Sequence, residues 1–259
     1  SAPPAAGAAG YWMLSADGRV FNFGQATGLG QPAPLNPDAA TVDIEPVPAG
    51  GGYWVVDSSG AVHPYGSASA YGDADRSTLT TGERVISLSS TRTGHGYWLF
   101  TDRGRVLPFG DAPFYGDLSG TRLNRPIVDS TVTASGLGYD MVAADGGVFA
   151  FGDAAFHGST GALHINAPVR SLVPTAAGDG YWLVAADGGV FAFDAPFRGS
   201  MGATHLNRPV TGMARYGAGY LMVGEDGGIF TFSDRDFAGS LGADPPNRPI
   251  VAVAAVPAP

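Results

Sequence analysis

Three arginines, Arg125, Arg208 and Arg248, each stand between an asparagine and a proline, in "TRLNRPI" (121 to 127), "THLNRPV" (204 to 210) and "DPPNRPI" (244 to 250). A fourth copy of the segment, "LHINAPV" (163 to 169), keeps the asparagine and loses the arginine. Two residues before that asparagine the chain carries Arg122, His164 and His205. N–H donors that are cationic, repeated at a fixed offset, suit the recognition of an anionic or hydroxyl-rich ligand, because guanidinium grips carboxylate or phosphate with two parallel hydrogen bonds. The candidate ligand-binding set is therefore Arg122, Arg125, His164, His205, Arg208 and Arg248. The plainer alternative is pairing with Asp145, Asp187 and Asp226 in exposed ion pairs, each worth little.

The acids offer less. Asp43, Glu45 and Asp129 fall in short β-prone runs, with Ser87, Ser89 and Arg170 at comparable places in other copies. Such a set could hold a cation or an acid/base pair, but a solvated channel wall is the usual case. Asp17, Asp145, Asp187 and Asp226 each precede a glycine. One carboxylate per turn is too few for calcium, so turn chemistry is the better reason for them. His63, His95 and His157 occupy unrelated places in their copies, and with no cysteine in the chain there is no thiolate metal site, disulfide or cysteine nucleophile. No catalytic residue and no cofactor is expected. The sequence leans away from an enzyme, and leaves open whether a metal ion is held.

The elements that must place these residues are read from a repeat. "GYWMLSADGRVFNF" (10 to 23), "GYDMVAADGGVFAF" (138 to 151), "GYWLVAADGGVFAF" (180 to 193) and "GYLMVGEDGGIFTF" (219 to 232) are one unit, and 52 to 65 and 96 to 109 are divergent copies. The leading tyrosines, Tyr11, Tyr53, Tyr97, Tyr139, Tyr181 and Tyr220, are spaced by 42, 44, 42, 42 and 39 residues. A period near 42 over the whole chain signals a repeat architecture. Within the third full copy, "PIVDSTVTA", "GYDMVAA", "GVFAF" and "FHGS" read as four successive strands, the second and third joined by an Asp-Gly turn. The run "YWLVAA" is apolar on both faces, as required of a sheet packed between two like sheets. The predicted fold is all-β: a six-bladed propeller of four-stranded blades, in one domain over 1–259 with an arm over 1–9. The first copy has no "PIV" strand before its tyrosine, whereas "RPIVAVAAVPAP" (248 to 259) has no tyrosine motif after it, so this last strand is expected to complete the first blade.

The repeated tyrosine could stack on sugars, and Trp12, Trp54, Trp98 and Trp182 follow it in four copies, with Asp140 and Leu221 in the others. A position filled alike in every blade is better explained by packing, since a buried aromatic ring removes ~150 to 250 Å² from water. Net charge is −9, which argues against nucleic acid and anionic membranes as partners. No run of 18 apolar residues is present, so no membrane-spanning helix is expected. "SAPPAAGAAG" has the look of a mature N-terminus left by cleavage.

Together the Gly-Tyr-Trp, Asp-Gly-Gly and Phe-Ala-Phe elements, "GDAPFYG" and "LNRPI" resemble the tandem repeat of secreted actinobacterial proteins, often attached to cell-wall hydrolases or esterases. The resemblance spans Gly10 to Val256 and implies a secreted or cell-surface protein. The function expected is a non-enzymatic scaffold that binds extracellular glycan or a cell-wall component. The rivals are a protein-interaction platform, using the outer edges where Tyr71, Tyr115, His157, Arg198 and Ala238 vary, and an enzyme with its site at the channel mouth.

Overall fold

The computed structural model describes residues 10–32 and 39–257; the arm expected over 1–9 lies outside the described residues. In chain order the strands are β1 (Gly10–Ser15), β2 (Val20–Gly24), β3 (Thr41–Pro46), β4 (Gly52–Asp57), β5 (Val62–Gly66), β6 (Val85–Ser90), β7 (Gly96–Thr101), β8 (Val106–Gly110) and β9 (Ile127–Val132). Then follow β10 (Gly138–Ala143), β11 (Val148–Gly152), β12 (Val169–Pro174), β13 (Tyr181–Ala185), β14 (Val190–Phe193), β15 (Val210–Tyr216), β16 (Gly219–Gly224), β17 (Ile229–Phe232) and β18 (Ile250–Ala255). No helix occurs among the described residues. The strands form six antiparallel sheets of three, one per repeat, and β18 pairs with β1 (Tyr11 opposite Ala255, Met13 opposite Val253) to complete the sheet of the first. Each inner strand, β3, β6, β9, β12, β15 and β18, lies against the next, and β18 lies against β3.

Burial explains the repeat. Every strand that carries a leading tyrosine of the repeat is buried along its whole length, as a sheet covered on both faces must be. Apolar clusters fill the spaces between successive sheets; Trp98, Phe100, Ile127, Tyr139 and Met141 form one of them. The turn after this strand is a three-residue loop: Gly146 N–H donates to Ala143 at 2.8 Å and Ala143 N–H to Gly147 at 2.9 Å. Only the glycine takes positive φ, +78° at Gly146. Asp145 stays in ordinary backbone space and accepts the Gly147 N–H at 3.0 Å. The Asp-Gly pair therefore divides the labour, with backbone freedom from the glycine and an acceptor from the aspartate.

The sheets have three strands, not the four expected. "FHGS" and its equivalents leave the outer strand and cross to the next sheet, where their polar groups meet a tyrosine instead of a neighbouring strand. At the junction of the β9–β11 and β12–β14 sheets, Tyr181 Oη accepts N–H groups of His157 (3.2 Å) and Gly158 (3.1 Å) and donates to the Gly158 carbonyl at 2.6 Å. Tyr97 does the same for Tyr71 and Gly72. The glycine is required twice over: Gly158 has φ +135°, and a Cβ there would lie 2.5 Å from the Phe193 ring. Tyrosine, glycine and the last aromatic ring of the outer strand, phenylalanine at five junctions and Tyr65 at the sixth, thus form one clasp at each junction. The opening tyrosines belong to packing.

Candidate functional site

Three surfaces carry polar or unpartnered side chains: the linker face, the central cavity and the outer edge.

On the linker face the expected geometry holds in outline. The segments before the inner strands lie beside the Asp-Gly turns: Ala144 N–H donates to Pro126 at 2.9 Å and Val169 N–H to Ala144 at 2.9 Å. Arg122, Arg125, His164, His205, Arg208 and Arg248 are all exposed. Among the described residues none of them forms an ion pair with Asp145, Asp187 or Asp226, which instead hold the N–H groups of Gly147, Gly189 and Gly228 at 3.0, 2.9 and 3.0 Å. Arg125 lines a shallow groove of about 430 Å³ with Leu123, Asn124, Asp102 and Arg103. The divergent second copy builds its own contacts here. Glu83 is buried, accepts from Thr80 and pairs with Arg105 at 3.2 Å, while exposed Arg84 stands 3.5 Å from Asp102.

The six inner strands surround a cavity of about 860 Å³, lined by Asp43, Glu45, Ser89 and Asp129 among others. A register shift recurs in every inner strand, as between Thr41 and Asp43 and between Val85 and Ser87. Such a bulge re-aims the side chains that follow it. Arg170 occupies the shifted position of β12, is exposed and does not line the cavity. The residues just past the shift tie sheet to sheet. Asp43 accepts from Leu88 N–H at 2.9 Å and Ser87 Oγ at 3.3 Å. Asp129 accepts from Ser171 Oγ at 2.6 Å and Leu172 N–H at 2.9 Å, and Glu45 from Ser90 N–H and Oγ at 3.0 and 2.8 Å. The second oxygens of Asp43 and Asp129 take the N–H groups of Ile44 and Ser130. Both aspartates therefore accept on both oxygens, one from the next sheet and one from their own strand.

Burial, with the charge of Asp129, pushes Asp43 up to about 8; burial likewise raises Glu45 to about 7 and Asp129 to about 6. These values lie above the ordinary 3.8 to 4.5, so between about pH 4.5 and about pH 8 the folded chain binds more protons than the unfolded one. Stability accordingly falls as pH rises through that window. Denaturant midpoints should be higher at about pH 5 than at about pH 8, with the difference reduced in Asp43→Asn. A midpoint that rises across the window would contradict this burial. Among the described residues no group of three His, Asp or Glu side chains is placed to hold a metal ion.

The outer edge holds what sequence reasoning missed. Phe114, Phe156, Phe197 and Phe237 stand directly before Tyr115, His157, Arg198 and Ala238 and are 56%, 61%, 61% and 59% exposed. A phenylalanine repeated in four successive copies reads as core, yet the crossing segment is held to the next sheet by its following residues and turns this ring outward. Gly28 and Ala70 take its place at the other two junctions. The repeated "APF", "AAF" and "DF" were the only signal.

No family model matches the sequence, and no curated protein matches it. Solved structures do. The chain is similar to the β-propeller domain of Cps50 (Swd1) from Myceliophteria thermophila, with TM-score 0.50 and 13% identity over 77% of this chain and 69% of that one. It is also similar to a chain of the Mitotic Checkpoint Complex, with TM-score 0.55 and 12% identity over 94% of this chain and 77% of that one. At such identities the likeness carries the fold alone: an all-β propeller architecture built of repeated three-stranded sheets.

Proposed function

We propose that the chain is a six-bladed propeller closed by β18, and that it serves as a non-catalytic platform whose outer edge docks a protein partner. The supporting observation is the row of exposed phenylalanines, one at each of four successive junctions. Single exposed apolar residues are ordinary, but aromatic rings repeated along one edge are the anchors that protein interfaces use. The engagement of Asp43 and Asp129 in ties between sheets weighs against an active site in the cavity.

A second reading is favoured by the exposed, unpaired arginines and histidines of the linker face: short contacts to an anionic cell-wall fragment, in a secreted protein. One pair of variants separates the two. Serine at Phe114, Phe156, Phe197 and Phe237 should leave the melting temperature nearly unchanged, as surface changes do, and abolish the capture of specific proteins from an extract of the source organism. Alanine at Arg122, Arg125, Arg208 and Arg248 should leave that capture intact. Capture unaffected by the serines would overturn the platform reading, and saturable binding of cell-wall fragments lost on the alanine changes would establish the second.

A further inference from the structure

In four repeats the tryptophan after the tyrosine fills the gap to the next sheet and donates its indole N–H to a carbonyl of the crossing segment: Trp12 to Thr27, Trp54 to Ser69, Trp98 to Pro113 and Trp182 to Pro196, at 2.7 to 3.0 Å. Its ring lies against the next tyrosine, with Trp182 and Tyr220 centroids 5.1 Å apart. In the last repeat Leu221 replaces the tryptophan, and Tyr216 of the adjoining strand takes over, donating to the equivalent carbonyl of Asp236 at 2.9 Å.

The repeat around β10 has neither device. Asp140 stands in the tryptophan position, and where the last repeat has Tyr216 it has Thr133, whose hydroxyl is bonded to Asp153 at 2.9 Å. The result is a cavity of about 160 Å³ beside Tyr181, with exposed Ser135, Asp153 and Ala155 at its rim. Asp140 is only 7% exposed, and its Oδ1 has no hydrogen-bond partner. Among the described residues no donor reaches the Ala155 carbonyl, the counterpart of the four indole acceptors. One wall is held under strain. Asp194 is the single described non-glycine with positive φ, +48°, and its carboxylate fixes His157 at 2.9 Å.

We propose that this slot is a binding site for a guanidinium group, that of an arginine side chain on a bound protein. The chemistry follows from the walls. The buried Asp140 carboxylate and the Ala155 carbonyl at the rim both accept, so the occupant must donate; leaving the buried Asp140 oxygen unpaired is costly. The space belongs to a flat ring, which in the four tryptophan repeats meets the next tyrosine at 58 to 63°, so a planar group fits beside Tyr181; the guanidinium fork gives a carboxylate two parallel hydrogen bonds where an ammonium offers only a point charge. Asp140, Asp153 and His157 line the slot, but among the described residues no such group is placed to hold a metal ion. That the arginine belongs to a protein partner rests on the platform reading; the guanidinium preference does not.

The probe is N-acetyl-arginine methylamide, titrated against the intact chain and followed by the amide resonances of 131–135 and 155–158. Saturable shifts are expected, with affinity roughly tenfold or more weaker for the citrulline analogue, which is isosteric and uncharged. Affinity should tighten as pH rises and Asp140, pushed by burial up to about 7, ionises; His157 with Asp194, and Asp153 and Tyr181, are the other titratable groups facing it. Asp140→Trp should restore the indole, raise the melting temperature and abolish binding. Asp140→Asn, which keeps the volume, should weaken it roughly tenfold or more. Shifts that never saturate, or binding unchanged in both variants, would overturn the site. Protein capture lost in the serine variant with arginine binding retained tells the two readings apart.

Discussion

A chain ending at Pro249 should lose its cooperative unfolding transition. Among the described residues β18 is the one inner strand paired with β1, and it joins the cores on both of its sides: Ile250 and Val253 pack with Tyr11, Met13 and Tyr216, while Ala252 and Ala254 pack with Trp12, Ile44 and Tyr53. Ile250 is fully buried. Burial of such a side chain is worth about 1.5 to 3 kcal/mol, and the loss of several at once, with a ladder of backbone hydrogen bonds, is comparable to the ~5 to 15 kcal/mol that holds a typical domain. The strip left behind is an open apolar sheet edge, a template for aggregation. Calorimetry of the truncated chain should show a broad or absent transition; a melting curve superimposable on that of the full chain would contradict closure.

Tyr181→Ala should cost ~3 to 5 kcal/mol, the range of large-to-small aromatic changes in cores. Removing the ring empties the packing against Phe193 and His157, at centroid distances of 5.8 and 5.4 Å, and leaves the His157 and Gly158 N–H groups without their acceptor. Arg208→Ala should cost under about 1 kcal/mol, since the side chain is exposed and surface changes are small. Denaturant midpoints in the reverse order would mean that display and packing have been assigned to the wrong residues.

Much of this fold is written in the period and in the apolar run at each tyrosine, because a strand covered on both faces leaves a pattern that local reading can find. The Asp-Gly turns are legible for the same reason. "FHGS" misleads as a strand because its partner is a hydroxyl from the next sheet, a contact at a sequence separation of 23 or 24 residues. The linker segments lie beside the turns, but the turn aspartates bind their own backbone, a choice that depends on turn geometry and not on residue type. The phenylalanine row was hidden by its regularity, since repetition ordinarily marks packing. Asp140 was visible as a substitution; its consequence needed the sight of Tyr216 compensating for Leu221 and of nothing compensating for Asp140.

The working surface is tested most directly by hydrogen exchange on the complex with a captured protein partner. The expected result is protection confined to the outer-edge segments 111–116, 153–158, 194–199 and 234–239. Protection of the linker segments 121–127, 163–169, 204–210 and 244–250 instead, with the outer edge exchanging as in the free chain, would contradict it.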